Sequence, residues 1–351
     1  MSTGYGEWPL QRLMTEVVGS GTKSAEDMTR AQASEAMERI LDDEPDPTTL
    51  GAFWLANRWK HNTSEELAAY VDVMADRVET GVPDVDPVDC GANYDGKERT
   101  AILGVAAGIV AAAAGTPVVV HSGDRVPTQK CDAYKHVLDE LGVPTVLRPG
   151  KSATMVEETG FGFYYQPAFN PAVDDLFDRR EKMGVRTFIN TVETLANPAG
   201  ASVHLGSFYH LSFAKKIVET VERSESHDLD RVIMFQGMEG YDDVRPGYTK
   251  FAEWTEADGF EGDEIETAAY GMDFETDDLA VEDVAVDSAR LTSEVLAGDR
   301  SDHWADAVAL NAAVRIYAGG DVETLDAGLD AARAAIEDGS AAAVLDDLRR
   351  Y

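Results

Sequence analysis

A short stretch, Gly81-Val82-Pro83-Asp84-Val85-Asp86-Pro87, splits this chain into two parts with different hydrophobic periods. Its prolines fix φ and remove backbone donors, so the segment carries neither a helix nor a central strand and reads as a linker or hinge. Upstream, between Pro9 and Val78, apolar residues recur every three to four positions: Leu10, Leu13, Met14, Val17 and Val18, then Met37, Ile40 and Leu41. That period belongs to helices with one buried face. Ser24 before Ala25-Glu26-Asp27 and Thr63-Ser64 before Glu65-Glu66 read as helix starts, because a hydroxyl caps free amides while acidic side chains meet the positive end of the helix dipole. The first part is expected to be all-helical.

Downstream, strands alternate with helices. Pro117-Val118-Val119-Val120 reads as a buried strand, preceded by a small-residue helix and followed by one running to Leu141. Val143 to Leu147, Ser202 to Phe208, Arg231 to Phe235 and Glu264 to Ala269 are the further expected strands, and Pro171 to Pro198 is a second helical stretch. The carboxyl end returns to helices at Asp287 to Leu296, His303 to Tyr317 and Thr324 to Glu337, with Gly298, Gly319-Gly320 and Gly339 where stops are needed. Strands joined through helices are parallel, so the expected fold class is α/β: a small all-helical amino-terminal domain, and a large domain whose mostly parallel sheet is covered on both faces.

At 351 residues the chain is long enough for two hydrophobic cores. Asp and Glu number 65 against 30 Lys and Arg, a formal net charge of −35 that repels polyanions and disfavours nucleic acid as a partner. The excess is spread along the whole chain, which reads as the solvated surface of a salt-adapted protein rather than an acidic docking face. Cys90 and Cys131 are the only cysteines and have no CxxC spacing, which excludes a disulfide framework or a thiolate metal cluster and fits a reducing compartment. The amino end lacks a basic-then-apolar signal, and the apolar run from Ala101 to Gly115 is too short to span a bilayer. A cytoplasmic location without membrane attachment is expected.

Several blocks, with their spacing, resemble the anthranilate phosphoribosyltransferase family. Ala309-Leu310-Asn311-Ala312-Ala313, Leu325-Asp326-Ala327-Gly328 and Ala334-Ala335-Ile336-Glu337-Asp338-Gly339 resemble its carboxyl-terminal packing motifs. Leu50 to Trp59 with Thr63-Ser64-Glu65-Glu66-Leu67 are similar to its first-domain helices. Gln166-Pro167-Ala168-Phe169-Asn170-Pro171-Ala172 resembles its A-x-H-P-A block, and Met183 to Asn190 with Leu195-Ala196-Asn197-Pro198 its G-x-R-T-x-x-N…L-x-N-P block. The resemblance implies a helical domain of residues 1–82 joined by the insert 171–198, and an α/β domain of residues 88–170 and 199–351. It also implies a homodimer formed through the helical domain, and transfer of the ribosyl phosphate of PRPP, with Mg2+, to a small aromatic amine such as anthranilate bound between the domains.

Where the family has a G-T-G-G-D diphosphate loop, this chain has Cys90-Gly91-Ala92-Asn93-Tyr94-Asp95-Gly96-Lys97-Glu98-Arg99-Thr100, a form similar to the family's divergent tryptophan-synthesis-like branch. Gly91 and Gly96 permit close backbone approach, and Lys97 and Arg99 add cations for phosphate. With Asn93, Asp95 and Thr100 they make up the expected PRPP-binding set. Arg186 occupies the place of the arginine that pairs with the acceptor's carboxylate, where a planar guanidinium gives bidentate recognition. His121, at the end of the buried strand, occupies the place of the histidine of K-H-G-N, and Asn170 replaces the histidine of A-x-H-P-A. These three are the expected catalytic residues.

Asp242 and Asp243, in Gln236-Gly237-Met238-Glu239-Gly240-Tyr241-Asp242-Asp243, match the family's adjacent carboxylates and suit a hard, partly hydrated cation. His61, His136, His204, His210, His227 and His303 have no metal-ligand spacing and read as ordinary histidines. The alternative to an enzyme is a non-catalytic binding protein on the same scaffold, holding a small anion or nucleic acid. For nucleic acid, Arg58, Lys60, Lys97, Arg99, Arg125 and Lys130 would have to gather on one face.

Overall fold

The computed structural model describes residues 5–19, 21, 23–125, 127–128 and 131–351. The amino-terminal part is helical, with its longer helices at Arg30–Leu41, Pro47–Lys60 and Ser64–Ala75. Each starts at a side-chain cap. Thr29 and Gln32 form a reciprocal capping box, as do Thr63 and Glu66, while Asp46 accepts from the amides of Thr48 and Thr49 ahead of Pro47. The start expected at Ser24 is displaced to Arg30, where Thr29 has at the third helical position the glutamine that returns a bond.

Phe53, Trp54, Tyr70 and Met74 share one apolar core with Phe169, Val173, Leu176, Phe188, Ile189 and Val192, so the middle insert packs onto the amino-terminal helices. Tyr70 stacks on Phe188 with ring centroids 4.2 Å apart. Arg180 and Glu193, both buried, pair at 2.7 Å and tie two turns of the insert together.

The second core belongs to a seven-stranded sheet in the order β3-β2-β1-β4-β5-β6-β7. The strands are β1 Val88–Cys90, β2 Val118–Ser122, β3 Phe161–Tyr165, β4 Val203–Ser207, β5 Arg231–Phe235, β6 Tyr248–Thr255 and β7 Gly259–Glu266. The first five are parallel, and β6 and β7 add an antiparallel hairpin at one edge. Helix Gly104–Ala113, of alanine, glycine and valine with one isoleucine, lies buried between the sheet and helix His303–Ala318; its small side chains let the backbones approach.

Two expected strands differ. Val143 to Leu147 pairs with nothing, since Pro144 has no amide to give and Thr145 bonds Asp139 instead. Glu264 to Ala269 is the tail of β7 followed by a 3-10 turn, Thr267–Tyr270, that ends at Gly271. In a parallel sheet the loops leaving the carboxyl ends of β1, β2, β4 and β5 emerge on one edge, and ligands of such sheets bind there. That edge faces the helical part.

Candidate functional site

The loop after β1 begins at Gly91, where an added Cβ would lie 2.3 Å from the Thr194 carbonyl oxygen and 2.4 Å from the His204 ring. Only glycine lets β1 run this close to both. Asn93 donates to the Gly240 carbonyl at 3.2 Å and its own Oδ1 accepts from the Asp95 amide at 2.7 Å, so the loop rests directly on the turn after β5. Beside that contact lies a cavity of about 290 Å³. Gly91, Asn93, Asp95, His204 and Gly240 line it from the α/β part, and Arg58, Arg186 and Asn190 from the helical part. The Arg186 guanidinium stands 2.5 Å from Asp95, and Arg58 donates to the Arg186 carbonyl at 2.8 Å. Two arginines thus face one cavity of a strongly acidic chain.

The back of the same loop is different. Lys97 is expected on diphosphate but turns inward, fully buried, to bond Asp243 at 2.7 Å and the Ala101 carbonyl at 2.5 Å. Arg315, also fully buried, pairs with Asp242 at 2.7 Å, and the Tyr134 hydroxyl donates to that same oxygen. Burial pushes the Asp242 carboxyl up against the pull of Arg315. The other oxygen of each aspartate, Oδ1, is buried without a hydrogen-bond partner. Asp242 and Asp243 therefore keep one spare acceptor each. Among the described residues, no group of three or more His, Cys, Asp or Glu is arranged around a metal position.

Arg99 and Thr100 meet an anion already. The Glu239 carboxylate accepts from the amides of Glu98 at 3.0 Å, Arg99 at 3.4 Å and Thr100 at 2.9 Å, and from the Thr100 hydroxyl at 2.8 Å. Burial alone would raise its pKa, but these donors hold the carboxyl below the usual range. Glu239 reaches them from a left-handed backbone position, φ 52°, which is strained for a side chain of this kind. The Arg99 guanidinium itself stays largely in solvent, 3.8 Å from Glu239. Gly96, at φ 69°, makes the tight approach to Asp132 that pairs Lys97 with that residue.

His121 and Asn170, the other expected catalytic residues, do not line the cavity. Tyr94 fills the room a glycine would leave, and its hydroxyl bonds His121 Nδ1, sealing the imidazole at zero exposure. Phe169 closes the opposite side of that ring edge-on at 5.9 Å. Asn170 is fully buried as well, between two short helices. Of the expected catalytic set, the structure brings only Arg186 to the cleft. It brings instead His204, read from sequence as ordinary. Asp89 on β1 accepts from His204 Nδ1 at 2.9 Å, with its other oxygen 3.3 Å from His121 Nε2. Burial would raise the Asp89 carboxyl, yet His121 and His204 together hold it well below the ordinary range. The sign of this in the sequence was an Asp and a His at matching positions near the ends of two strands. Cys90, adjacent, is no nucleophile, since burial pushes its thiol up to about 12.

Of the cations that nucleic acid would need on one face, three are already paired. Lys60 pairs with buried Glu66 at 2.7 Å, Lys97 with Asp243, and Arg125 with Asp174 at 3.1 Å; Lys130 lies outside the described residues.

Residues 15–78 match the family described as glycosyl transferase family, helical bundle domain, and residues 85–342 match the glycosyl transferase family, a/b domain. The anthranilate phosphoribosyltransferase of Natronomonas pharaonis is 30% identical over 332 residues, covering 93% of this chain and 96% of that protein. The crystal structure of anthranilate phosphoribosyltransferase from Thermus thermophilus superposes with a TM-score of 0.79 at 25% identity, over 93% of this chain and 96% of the other. The Saccharomyces cerevisiae enzyme in complex with PRPP and Mg has the same fold, with a TM-score of 0.78 at 18% identity over 92% and 93% of the two chains.

Proposed function

The chain belongs to the glycosyl transferase family built from a helical-bundle domain and an a/b domain, and we propose that it transfers the ribosyl phosphate of PRPP to the amine of anthranilate or a closely related aromatic acid. The observation that carries this is the cavity between the two parts: Gly91, Asn93 and Asp95 on one wall, Arg186 and Arg58 on the other. The bond between the sugar's anomeric carbon and diphosphate oxygen breaks, diphosphate leaves with the electron pair, and the amine nitrogen takes its place. Such a reaction needs orientation and charge complementarity more than covalent help from the protein.

In this reading Gly91 and Asn93 present backbone and amide to PRPP, and Arg186, steadied by Asp95, pairs with the acceptor's carboxylate. Magnesium arrives with the diphosphate as part of the substrate. Asp242 and Asp243, expected to hold it, are instead fully buried behind the loop on Arg315 and Lys97 and do not line the cavity, so their present arrangement does not fit that role. The domains in this reading are residues 1–82 with 171–198, and residues 88–170 with 199–351; the core of the first also takes in Phe169 and, from the sheet, Val119, Tyr164, Val232 and Met234. Dimerisation through helix Pro47–Lys60 is supported by the exposed Leu55 and Trp59, the latter 70% exposed. No helix among the described residues is long and apolar enough to cross a membrane, and a cytoplasmic site of action fits a chain with only two cysteines.

Titration calorimetry of PRPP with magnesium in molar KCl tests the proposal, followed by chromatographic assay of diphosphate release on adding anthranilate. Saturable heat and acceptor-dependent release are expected. Absence of heat in the wild-type protein rejects the reading.

A further inference from the structure

The cavity holds one titratable side chain that is nine-tenths buried, aimed inward and left with a free ring atom. His204 is 4% exposed at its side chain, and its Nδ1 is fixed by Asp89. That bond leaves Nε2 as the atom available to a ligand, and among the described residues it has no hydrogen-bond partner. Gly91 and Gly206 flank the ring: a Cβ at the first would come within 2.4 Å of Cε1, and at the second within 3.2 Å of Nε2. The two glycines open the passage from Nε2 to the cavity, since either side chain would cover it. An imidazole with one nitrogen on a carboxylate and the other facing a cleft is the arrangement by which a base is held in one tautomer and orientation.

Other titratable groups near the cavity are already engaged or lie at its edge. Asp95 is held by Arg186 and Thr128, Glu193 is buried against Arg180, and His210 sits at the exposed rim. Arg186 lines the same cavity, so an acceptor whose carboxylate it holds presents its amine within that space.

We propose that His204, oriented by Asp89, is the base that takes the proton from the attacking amine. This rests on the phosphoribosyl-transfer reading above. As the nitrogen bonds to the anomeric carbon and diphosphate departs, the nitrogen becomes positively charged. His204 Nε2 accepts one of its protons, leaving a neutral secondary amine and an imidazolium that Asp89 faces. Asp89 is a positioning residue, acting through the His204 ring. His121, on the far oxygen of Asp89, and Tyr94 behind it complete a buried chain of four groups that keeps the carboxylate in place.

The test compares wild-type protein with His204→Ala and His204→Gln, measuring PRPP affinity by calorimetry and turnover with anthranilate, with and without added imidazole. General bases contribute about 10²–10⁴-fold, so both variants are expected to lose at least about 100-fold in turnover. PRPP affinity should stay within about threefold, because a base acts on the transition state and not on substrate binding. Free imidazole, filling the space vacated in His204→Ala, should restore turnover in proportion to its concentration. A merely structural histidine would not be rescued in this way. Turnover in the variants near the wild-type level, or a loss that imidazole leaves untouched in a folded His204→Ala protein, overturns the assignment. If His204→Ala does not fold, by circular dichroism, His204→Gln decides alone through retained PRPP binding with lost turnover. Wild-type protein without PRPP heat or turnover would instead reject the transferase reading, and this inference with it.

Discussion

The loop from Gly91 to Thr100 has two faces, built on opposite principles. Its front, toward the cavity, keeps polar groups with bonding capacity to spare: Asn93, Asp95 with Arg186, and the free nitrogen of His204. Its back is a sealed layer in which Lys97 answers Asp243 and Arg315 answers Asp242, all four fully buried. A charge in a dry interior costs several kcal/mol unless paired, whereas a cleft charge keeps water and pays little. The back therefore holds the loop's shape and the front is left to act.

That contrast is open to direct attack. Arg315→Met leaves Asp242 buried beside only a tyrosine and should cost about 3–5 kcal/mol in denaturant unfolding measured in high salt. If the back is one interlocked layer, Lys97→Met with Asp243→Asn should lose much less than the two single changes added together, which a double-mutant cycle reads directly. A smaller loss, about 3 kcal/mol, is expected for Tyr94→Ala, which removes a buried ring and opens the space beside His121; a melting curve gives the loss and xenon or small aromatic binding the space. On the front, Arg186→Ala should cost less stability than Arg315→Met, because Arg186 is about one-third exposed and Asp95 keeps Thr128 and Asn190 as donors, while the acceptor weakens by about 10–100-fold, the worth of a charge-assisted hydrogen bond. Equal effects of Arg315 and Arg186 changes on stability would erase the distinction between the faces.

The mildest probe is acid. Glu239 titrates below the ordinary carboxyl range in the folded chain, so its contribution is present above the unfolded value, about 4.3, and is lost as pH falls through the lower folded one. Hydrogen exchange at the Thr100 amide should accelerate over that window in the wild-type protein. Glu239→Gln should show no such dependence.

Periodicity made much of this fold readable. The valine run of β2 and the apolar segments of β4 and β5 stand between clear turns, and Arg231–Phe235 is found with the bounds expected. Of the β6 and β7 hairpin only the tail of β7, from Glu264, was expected, for a physical reason: β7 is mostly exposed and acidic, Glu261 to Glu266, so no alternating apolar signal marks it. β3 was hidden because buried on both faces it is a plain aromatic run next to Gln166-Pro167. At the site, Arg186 and the glycine turn could be placed by motif. Lys97 could not, because motif position gives a residue's neighbourhood but not its direction, and the partner that turns it inward lies 146 residues away. His204 was missed likewise, its meaning residing in Asp89 on the adjacent strand rather than in any spacing around itself.

Glu239 is an anion that the chain carries with it. Because the carboxylate that fills the amides of residues 98–100 is part of the chain, dilution never removes it. A phosphate from solution must compete with a rival that is always present at the same local concentration, whatever the cell contains.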